Sequence, residues 1–481
     1  MRTDLCLVMD QGSEYCQALV YDRLGTCLSQ GKVPIKTQFT PPNRAEQQPQ
    51  AILISLKQAA LEAISKLQRE QRLRLKTAAL ITQRSSLLCW DADNGQALTP
   101  VLSWQDQRGL SHIQALMPLA SMIRQLTGLY PNAHLPASKL RWCMEHMNVS
   151  NAKHRIRGGP ISAWLIQQLL HEQPNLIDAV SAARTMLYSL KDKGWHPELV
   201  ELFQLPDSLL PSVRPCQFPF GTLNLPGLSL PLNFVSSDQA AALFALGEPS
   251  QDNLYIHLGS GGVMNRAITE RGLHPQERLL HHLIQAAQQP RYSAEATLNG
   301  AANALEWAFN HSRPESRDID SWIADYPDPP LFMNMIGGVG SPYWQPLERS
   351  CWVNDSGNPK AQMVAVMESI IFLICRNLKA MSSLPAAKHI IIDGQASRFN
   401  SLCQGVADLS GLTVLRYDQH ELPALGAAWQ TLPNSVRKIQ PDTRFEPAKN
   451  PALQQRYLVW IELFEEHINN LNNPNNPNNL N

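Results

Sequence analysis

Asp10 and Asp238 are the residues best placed to do chemistry, because each ends an apolar run. Asp10 follows Leu5-Cys6-Leu7-Val8-Met9 and precedes Gln11-Gly12, while Asp238 follows Leu232-Asn233-Phe234-Val235-Ser236-Ser237 and precedes Gln239. An apolar run closing in a carboxylate reads as a buried strand that delivers charge to the rim of a sheet, where active sites of open α/β sheets lie. A carboxylate beside a glycine turn suits a metal ion or a phosphate. One at the entrance of an alanine-rich helix, here Ala240 to Ala245, suits a proton acceptor, since a helix start favours the ionised form. The pair points towards phosphoryl transfer. For Asp238 the plainer alternative is an N-cap, worth about 1 kcal/mol.

Other residues could serve the same chemistry. Gly259-Ser260-Gly261-Gly262 can present backbone N–H groups and a hydroxyl to phosphate oxygens, although most glycine-rich turns are only turns. Ile390-Ile391-Ile392-Asp393-Gly394 is a strand running into a turn, a place where nucleotides are held, or a capped helix start at Ala396–Ser397. No GxxxxGK[ST] loop occurs, which excludes a P-loop. Arg84, after a buried strand, could hydrogen-bond hydroxyls or form a surface ion pair. Trp104 could cover the apolar face of a polyol or belong to the core. His134 could donate to a hydroxyl or be structural.

The elements that must position these residues follow from the hydrophobic pattern. Residues 5 to 33 read as three strands joined by tight turns, one of them at Leu24-Gly25, and Gln50 to Arg69 as an amphipathic helix. Leu75–Thr82 and Ser86–Trp90 read as strands, the latter ending at an Asp93-Asn94-Gly95 hairpin turn. Helices are predicted over Ser111–Gln125, Ala137–Met147 and Ser162–Glu172, then a proline-bearing loop from Leu205 to Leu230. Leu254–Gly262, Val263–Ile268 and a Glu270-Arg271-Gly272 turn echo residues 5 to 33, which suggests a duplicated unit with the boundary near Gly247–Asn253. Helices and strands then alternate through Asn299–Phe309, Met363–Met381, His389–Asp393, Ser401–Leu409, Thr413–Tyr417 and Leu422–Gln430, as in an α/β sheet. The expected division is 1–247, 248–433 and 434–481, the last holding a helix over Pro451–Asn469 and a disordered asparagine–proline tail.

At 481 residues the chain exceeds what one core supports. Lys plus Arg and Asp plus Glu balance at 41 each, so charge gives no case for nucleic acid or an anionic membrane as partner. Nine scattered cysteines without a CxxC read as reduced, buried thiols and favour the cytoplasm. The first apolar run reaches Asp10 at once, unlike a signal peptide. Met363–Met381 carries Glu368, Arg376 and Lys379, so it reads as a core helix and not a membrane span.

Taken in order, these segments resemble the FGGY family of carbohydrate kinases. The resemblance runs over about residues 4 to 432. It is carried by Met9–Gly12, Ile81–Arg84, Ser103–Gln105, Thr127–Leu129 with Ser138–Trp142, Ala183–Leu187, Asp238-Gln239, Gly259–Gly261, Gly338–Trp344, Asp393-Gly394 and Ala424–Ala428. It implies two actin-like (ribonuclease H-like) α/β domains flanking a cleft, with the sugar site and base in the N-terminal domain and the nucleotide site in the C-terminal one. It also implies Mg-ATP as donor and a small sugar or polyol hydroxyl as acceptor. Asp238 matches the family's catalytic base and Asp10 the carboxylate near the metal. Arg84, Trp104, His134 and Gln239 match substrate positions. Gly12, Ser13, Ser260, Gly261, Ala302, Glu306, Gly394, Gln395 and Asn400 match the ATP site. A homodimer stays open.

The chain also departs from the family pattern. Glu14 adds negative charge to the first phosphate turn, and Gln17 stands where a cation is usual. Arg84-Ser85 is an unusual substrate pair, His134 replaces an aromatic, and Gly394-Gln395 replaces Gly-Gly, with Phe399 in place of a frequent Asn. These changes keep a second reading in view, a catalytically impaired relative serving as a ligand-binding sensor or scaffold.

Overall fold

A computed structural model describes residues 4–471 apart from 42, 148–154, 269–277, 288, 346–348, 418–420 and 433–438. The Glu270-Arg271-Gly272 turn and the tail beyond residue 471 lie outside the described residues. The chain forms two compact units. The first comprises Met1–Pro249, His281–Ser293 and Glu421–Ile439; the second comprises Ser250–Leu280, Ala294–His420 and Gln440–Asn481.

In the first unit a six-stranded sheet has the spatial order Gln217–Leu225, Leu228–Ser237, Leu75–Thr82, Leu5–Gln11, Tyr15–Tyr21, Cys27–Pro34. Its three central strands, Leu228–Ser237, Leu75–Thr82 and Leu5–Gln11, are mutually parallel. Leu5 through Gln11 are buried without a break, as a strand covered on both faces requires. The helix Pro49–Ser65 turns Ile52, Leu56, Ala59 and Ala63 inward, matching the apolar spacing of the sequence.

The stretch from Leu205 to Leu230 is not loop-rich. It contains a strand, Ser212–Arg214, and most of a β-hairpin, Gln217–Leu225 with Leu228–Ser237. Proline misled the reading. Pro219 lies on the edge strand where the register shifts between Gln217 and Gly221, so no ladder bond is lost there. Pro226-Gly227 makes the tip, with Gly227 at φ +71°. The single helix expected over Ser111–Gln125 is broken by a 3₁₀ turn, Met117–Leu119, around Pro118.

The second unit repeats the design. Its sheet includes, in spatial order, Arg291–Leu298, Gly262–Ile268, Asn253–Leu258, His389–Asp393, Thr413–Arg416 and Thr443–Phe445. Asn253–Leu258 pairs antiparallel with Gly262–Ile268 and parallel with His389–Asp393. Leu5–Gln11 stands in the same relation to Tyr15–Tyr21 and Leu75–Thr82. The strand–turn–strand echo in the sequence is therefore a structural repeat. The apolar helix Pro359–Ala380 is 83% buried over its most hydrophobic window, as a core helix should be. The C-terminal helix Pro451–Leu471 packs on it. Trp460 sits with its ring centroid 5.5 Å from Phe372, and Arg456 pairs with the buried Glu368 at 2.6 Å.

Candidate active site

Register brings the site together. Asp10 stands opposite Ile81, and Ile81 opposite Ser236, on three adjacent parallel strands. The turn at Gly12, the Gln83-Arg84 turn and Asp238 therefore lie side by side at the carboxyl ends of those strands. Side chains there escape the hydrogen-bond ladder and can face a ligand. Gln83 N–H donates to Gln11 O at 2.8 Å, which fixes the two turns to each other.

Asp238 begins a short helix, Asp238–Ala242, but does not cap it. Ser237 is the N-cap, its Oγ accepting from Ala240 N at 3.4 Å. Asp238 Oδ1 instead accepts from Gln239 N–H at 2.6 Å, which leaves the carboxylate at the edge of the site and partly exposed. The helix rests on Leu422–Thr431. Gly426 approaches so closely that a β-carbon there would overlap the Ala241 carbonyl oxygen.

Asp10 is 7% exposed. Burial pushes its carboxyl up to about 7, with the negative charges of Asp238 and Glu421 adding to the rise, while Gln17 and Lys32 oppose it. Gln17 is not an idle loss of charge. Its Nε2 donates to Asp10 Oδ2 at 2.9 Å and to Glu421 Oε2 at 3.1 Å, and its Oε1 accepts from Gln30 at 2.9 Å. Glu421, which sequence reasoning did not single out, enters from the start of the Leu422–Thr431 helix. Glu14 is exposed.

Two of the expected substrate residues, Trp104 and His134, are linked to Ser13. Trp104 Nε1–H donates to Ser13 Oγ at 3.1 Å, and Ser13 Oγ donates to Gln83 Oε1 at 2.7 Å. His134 Nδ1 lies 3.0 Å from Trp104 O, an acceptor only, so the proton is on Nδ1 and Nε2 accepts from Gln107 at 3.4 Å. Burial lowers His134 to about 4, keeping it neutral. Beneath them lies Lys139, wholly buried, whose Nζ donates to Ser85 O at 3.0 Å and Ser103 O at 2.9 Å. One ammonium thus ties the Arg84 turn to the Trp104 turn. Buried Asp106 sets the same region by accepting from Ala45 N at 2.9 Å and from Arg108 Nη2 at 2.7 Å. Lys139 lies within the Ser138–Trp142 segment, yet nothing local in the sequence marks it as a brace.

In the second unit Gly259-Ser260-Gly261 and Gly394 leave neighbouring parallel strands. Gly394, at φ +97°, lies so close to the Leu258 backbone that a β-carbon would come within 2.7 Å. Gly259 O and Ser260 O accept from Ala302 N at 3.0 Å and Asn303 N at 3.1 Å, at the start of the helix Ala302–Ser312. Ala302 is buried, and Glu306 is paired with Arg317 at 2.7 Å. Asn400 Oδ1 accepts from Arg416 at 2.9 Å, and Gln395 is exposed. The Gly337–Gly340 turn packs on Thr297, with Ser341 N donating to Thr297 O at 2.9 Å.

Residues 5–244 match the profile of the N-terminal domain, and residues 254–432 that of the C-terminal domain, of the FGGY family of carbohydrate kinases. The chain belongs to this family. Glycerol kinase 2 of Saccharolobus solfataricus is 28% identical over 480 residues, covering 95% of this chain and 96% of the relative. Apulose kinase of Pectobacterium atrosepticum is 27% identical, covering 96% and 97%. Among solved structures, Plasmodium falciparum glycerol kinase with ADP superposes with a TM-score of 0.85 at 18% identity, covering 96% of this chain and 98% of that one. A xyloylose kinase from Brucella ovis gives 0.82 at 20%, covering 96% and 99%. The fold is accordingly that of two actin-like, ribonuclease H-like domains. As an FGGY kinase the protein is an ATP-dependent phosphotransferase with ATP and Mg²⁺ as cofactors. The donor set fits the metal. Asp10 offers hard oxygen ligands in a locally negative site, and Mg²⁺ takes one or two carboxylates while keeping waters and phosphate oxygens. Among the described residues no group of three or more His, Cys, Asp or Glu could cage an ion outright.

Proposed function

We propose that the chain transfers the γ-phosphoryl group of ATP to a hydroxyl of a small sugar or polyol, with Asp238 as general base. The observation carrying this is the common level of Asp10, the Arg84 turn and Asp238 at the ends of three adjacent parallel strands. Asp238 takes the proton of the acceptor hydroxyl, whose oxygen then bonds to the γ-phosphorus as the bond to the ADP oxygen breaks. Such a loose transition state needs in-line positioning and charge neutralisation more than covalent help. Arg84 and Gln239 orient acceptor hydroxyls, Trp104 covers the carbon chain, and neutral His134 holds the Trp104 turn. Bound Mg²⁺ would neutralise phosphate charge, with Asp10 as its protein ligand. Gly12, Ser260, Gly261, Gly394, Gln395 and Asn400 remain the proposed nucleotide contacts. Ser13 is better supported on the acceptor side, given its bonds to Trp104 and Gln83. Glu306, already paired with Arg317, has little left to offer a nucleotide. Soluble catalysis in the cytoplasm is part of the same reading.

The impaired-relative alternative rested on Glu14, Gln17 and Gln395. Glu14 and Gln395 are exposed, and Gln17 is engaged in holding Asp10, so no observation favours it. Coupled ADP release with Mg-ATP over glycerol, tetritols, pentitols and keto-sugars tests the proposal. Acceptor-dependent turnover should appear in the parent and vanish in Asp238→Asn with nucleotide binding retained. Equal turnover in both would remove Asp238 as base.

A further inference from the structure

Resting on the kinase reading, we infer that Gln47 is a positioning residue of the acceptor site, acting through Gln83 and Ser13 to aim the indole of Trp104. Gln47 closes the strand Arg44–Gln47, which pairs antiparallel with Val101–Leu102 just ahead of the Trp104 turn. The residue is 2% exposed. A buried amide is costly unless its hydrogen-bonding atoms are paired, and this one is paired at both ends. Its Nε2 donates to Ser13 O and to Thr37 Oγ1, each at 2.9 Å, and its Oε1 accepts from Gln83 Nε2 at 2.8 Å. Gln83, also buried, passes the order on: its Oε1 accepts from Ser13 Oγ, which in turn accepts from Trp104 Nε1–H.

The polarity of this chain is set at its two ends. A backbone carbonyl only accepts, so the Gln47 atom facing Ser13 O is the nitrogen. An indole N–H only donates, so the Ser13 hydroxyl turns its own proton away from Trp104. The two glutamine amides between those ends have one orientation each, and both meet it. Removing the Gln47 amide frees Gln83 to turn over, which offers Ser13 a donor in place of an acceptor and leaves the hydroxyl proton unpaired. The backbone of Trp104 is fixed by other means: its N–H donates to Ser86 Oγ at 2.9 Å, and its carbonyl accepts from His134. Gln47 thus governs the ring and not the turn, and the ring is the part that covers the acceptor's carbon chain. A residue kept only to pack the strand Arg44–Gln47 would need neither of the bonds to Ser13 and Gln83.

Steady-state kinetics with the best acceptor of the glycerol, tetritol, pentitol and keto-sugar panel, together with ADP titrations, test this on the full-length protein. The parent is compared with Gln47→Met, which keeps the volume and removes the amide. The expected result is an acceptor KM about five- to tenfold higher, as the loss of one or two hydrogen bonds predicts, with kcat lowered less and ADP affinity unchanged. ADP binding also reports that the variant is folded. Ser13→Ala, at a half-buried position, breaks the chain one link nearer the indole and should raise the acceptor KM by a similar factor. In the double variant the two losses should not multiply, because both act through one chain. Losses that multiply, an acceptor KM that stays at the parent's value, or a fall in ADP affinity as large as the acceptor's loss would overturn the inference alone. Should Gln47→Met fail to fold, Ser13→Ala decides by itself, an unchanged acceptor KM refuting the chain. A parent that bound no ADP and turned over no acceptor would overturn the kinase reading and this inference with it.

Discussion

Asp10→Asn should make the empty enzyme more stable at alkaline pH while destroying its activity. The carboxyl is buried beside Asp238 and Glu421 and stands at about 7, against 3.8 in a free chain. At pH 3 both folded and unfolded chains hold the proton, and burial of Asp10 carries no ionic penalty. Between about 4 and 7 the unfolded chain has released it and the folded chain has not, so stability falls as pH rises. Above about 7 the penalty is complete. A shift of about three units at 1.36 kcal/mol each gives about 4 kcal/mol as an upper bound, and sharing of protons with Glu421 and Asp238 brings it to about 2–4 kcal/mol. Asparagine retains an oxygen for the Gln17 amide and cannot ionise. For a unit of this size 1 kcal/mol moves the melting point by about 2 °C, so the variant should melt about 4–8 °C above the parent at pH 8 and level with it near pH 3.5. Thermal melts from pH 3.5 to 8.5 measure this, and Mg-ADP should narrow the gap by favouring the ionised parent. A difference that does not change with pH, or a variant less stable at pH 8, would refute the reasoning.

Two further substitutions test the supports of the site. Lys139→Met strips the donor from Ser85 O and Ser103 O, so it should cost about 2–4 kcal/mol by urea melts and raise KM for the acceptor without changing ADP affinity. Burial lowers Lys139 to about 7, so from about pH 7 to 10 the unfolded chain binds the extra proton and the parent gains stability with rising pH, a slope the variant should lack. Gly426→Ala forces a methyl against the Ala241 carbonyl, a backbone atom that cannot rotate away. A loss of about 3 kcal/mol is expected, with turnover falling more than nucleotide binding because Asp238 sits on the displaced helix; a loss under about 1 kcal/mol would show that the two helices slide apart freely.

Most of the framework was legible because its signals are local. Leu75–Thr82 and His389–Asp393 are found with the predicted ends, since β-branched and apolar runs bounded by polar turns leave little choice of state. The repeat also showed itself through similar strand–turn–strand spacing. Proline counting failed between Leu205 and Leu230 because a proline on an edge strand, at a bulge, sacrifices no ladder bond. A sequence does not say which strand will be an edge.

The site divides along the same line. Asp10 and Asp238 were readable because a charge closing an apolar strand is a local contradiction that only a sheet rim resolves. Lys139, Glu421 and Gln17 were not readable as partners. Their meaning lies in bonds to residues 54, 404 and 7 positions away along the chain, and a lone lysine, glutamate or glutamine in a helix or strand is unremarkable. Gln17 is the clearest case. As a letter it is a missing cation and argues against function. As a side chain it is an amide that donates to two carboxylates at once, which a lysine could do only by adding charge. Holding Asp10 with a neutral donor leaves its carboxyl high and the first unit's site short of positive charge, a deficit that a bound cation would relieve.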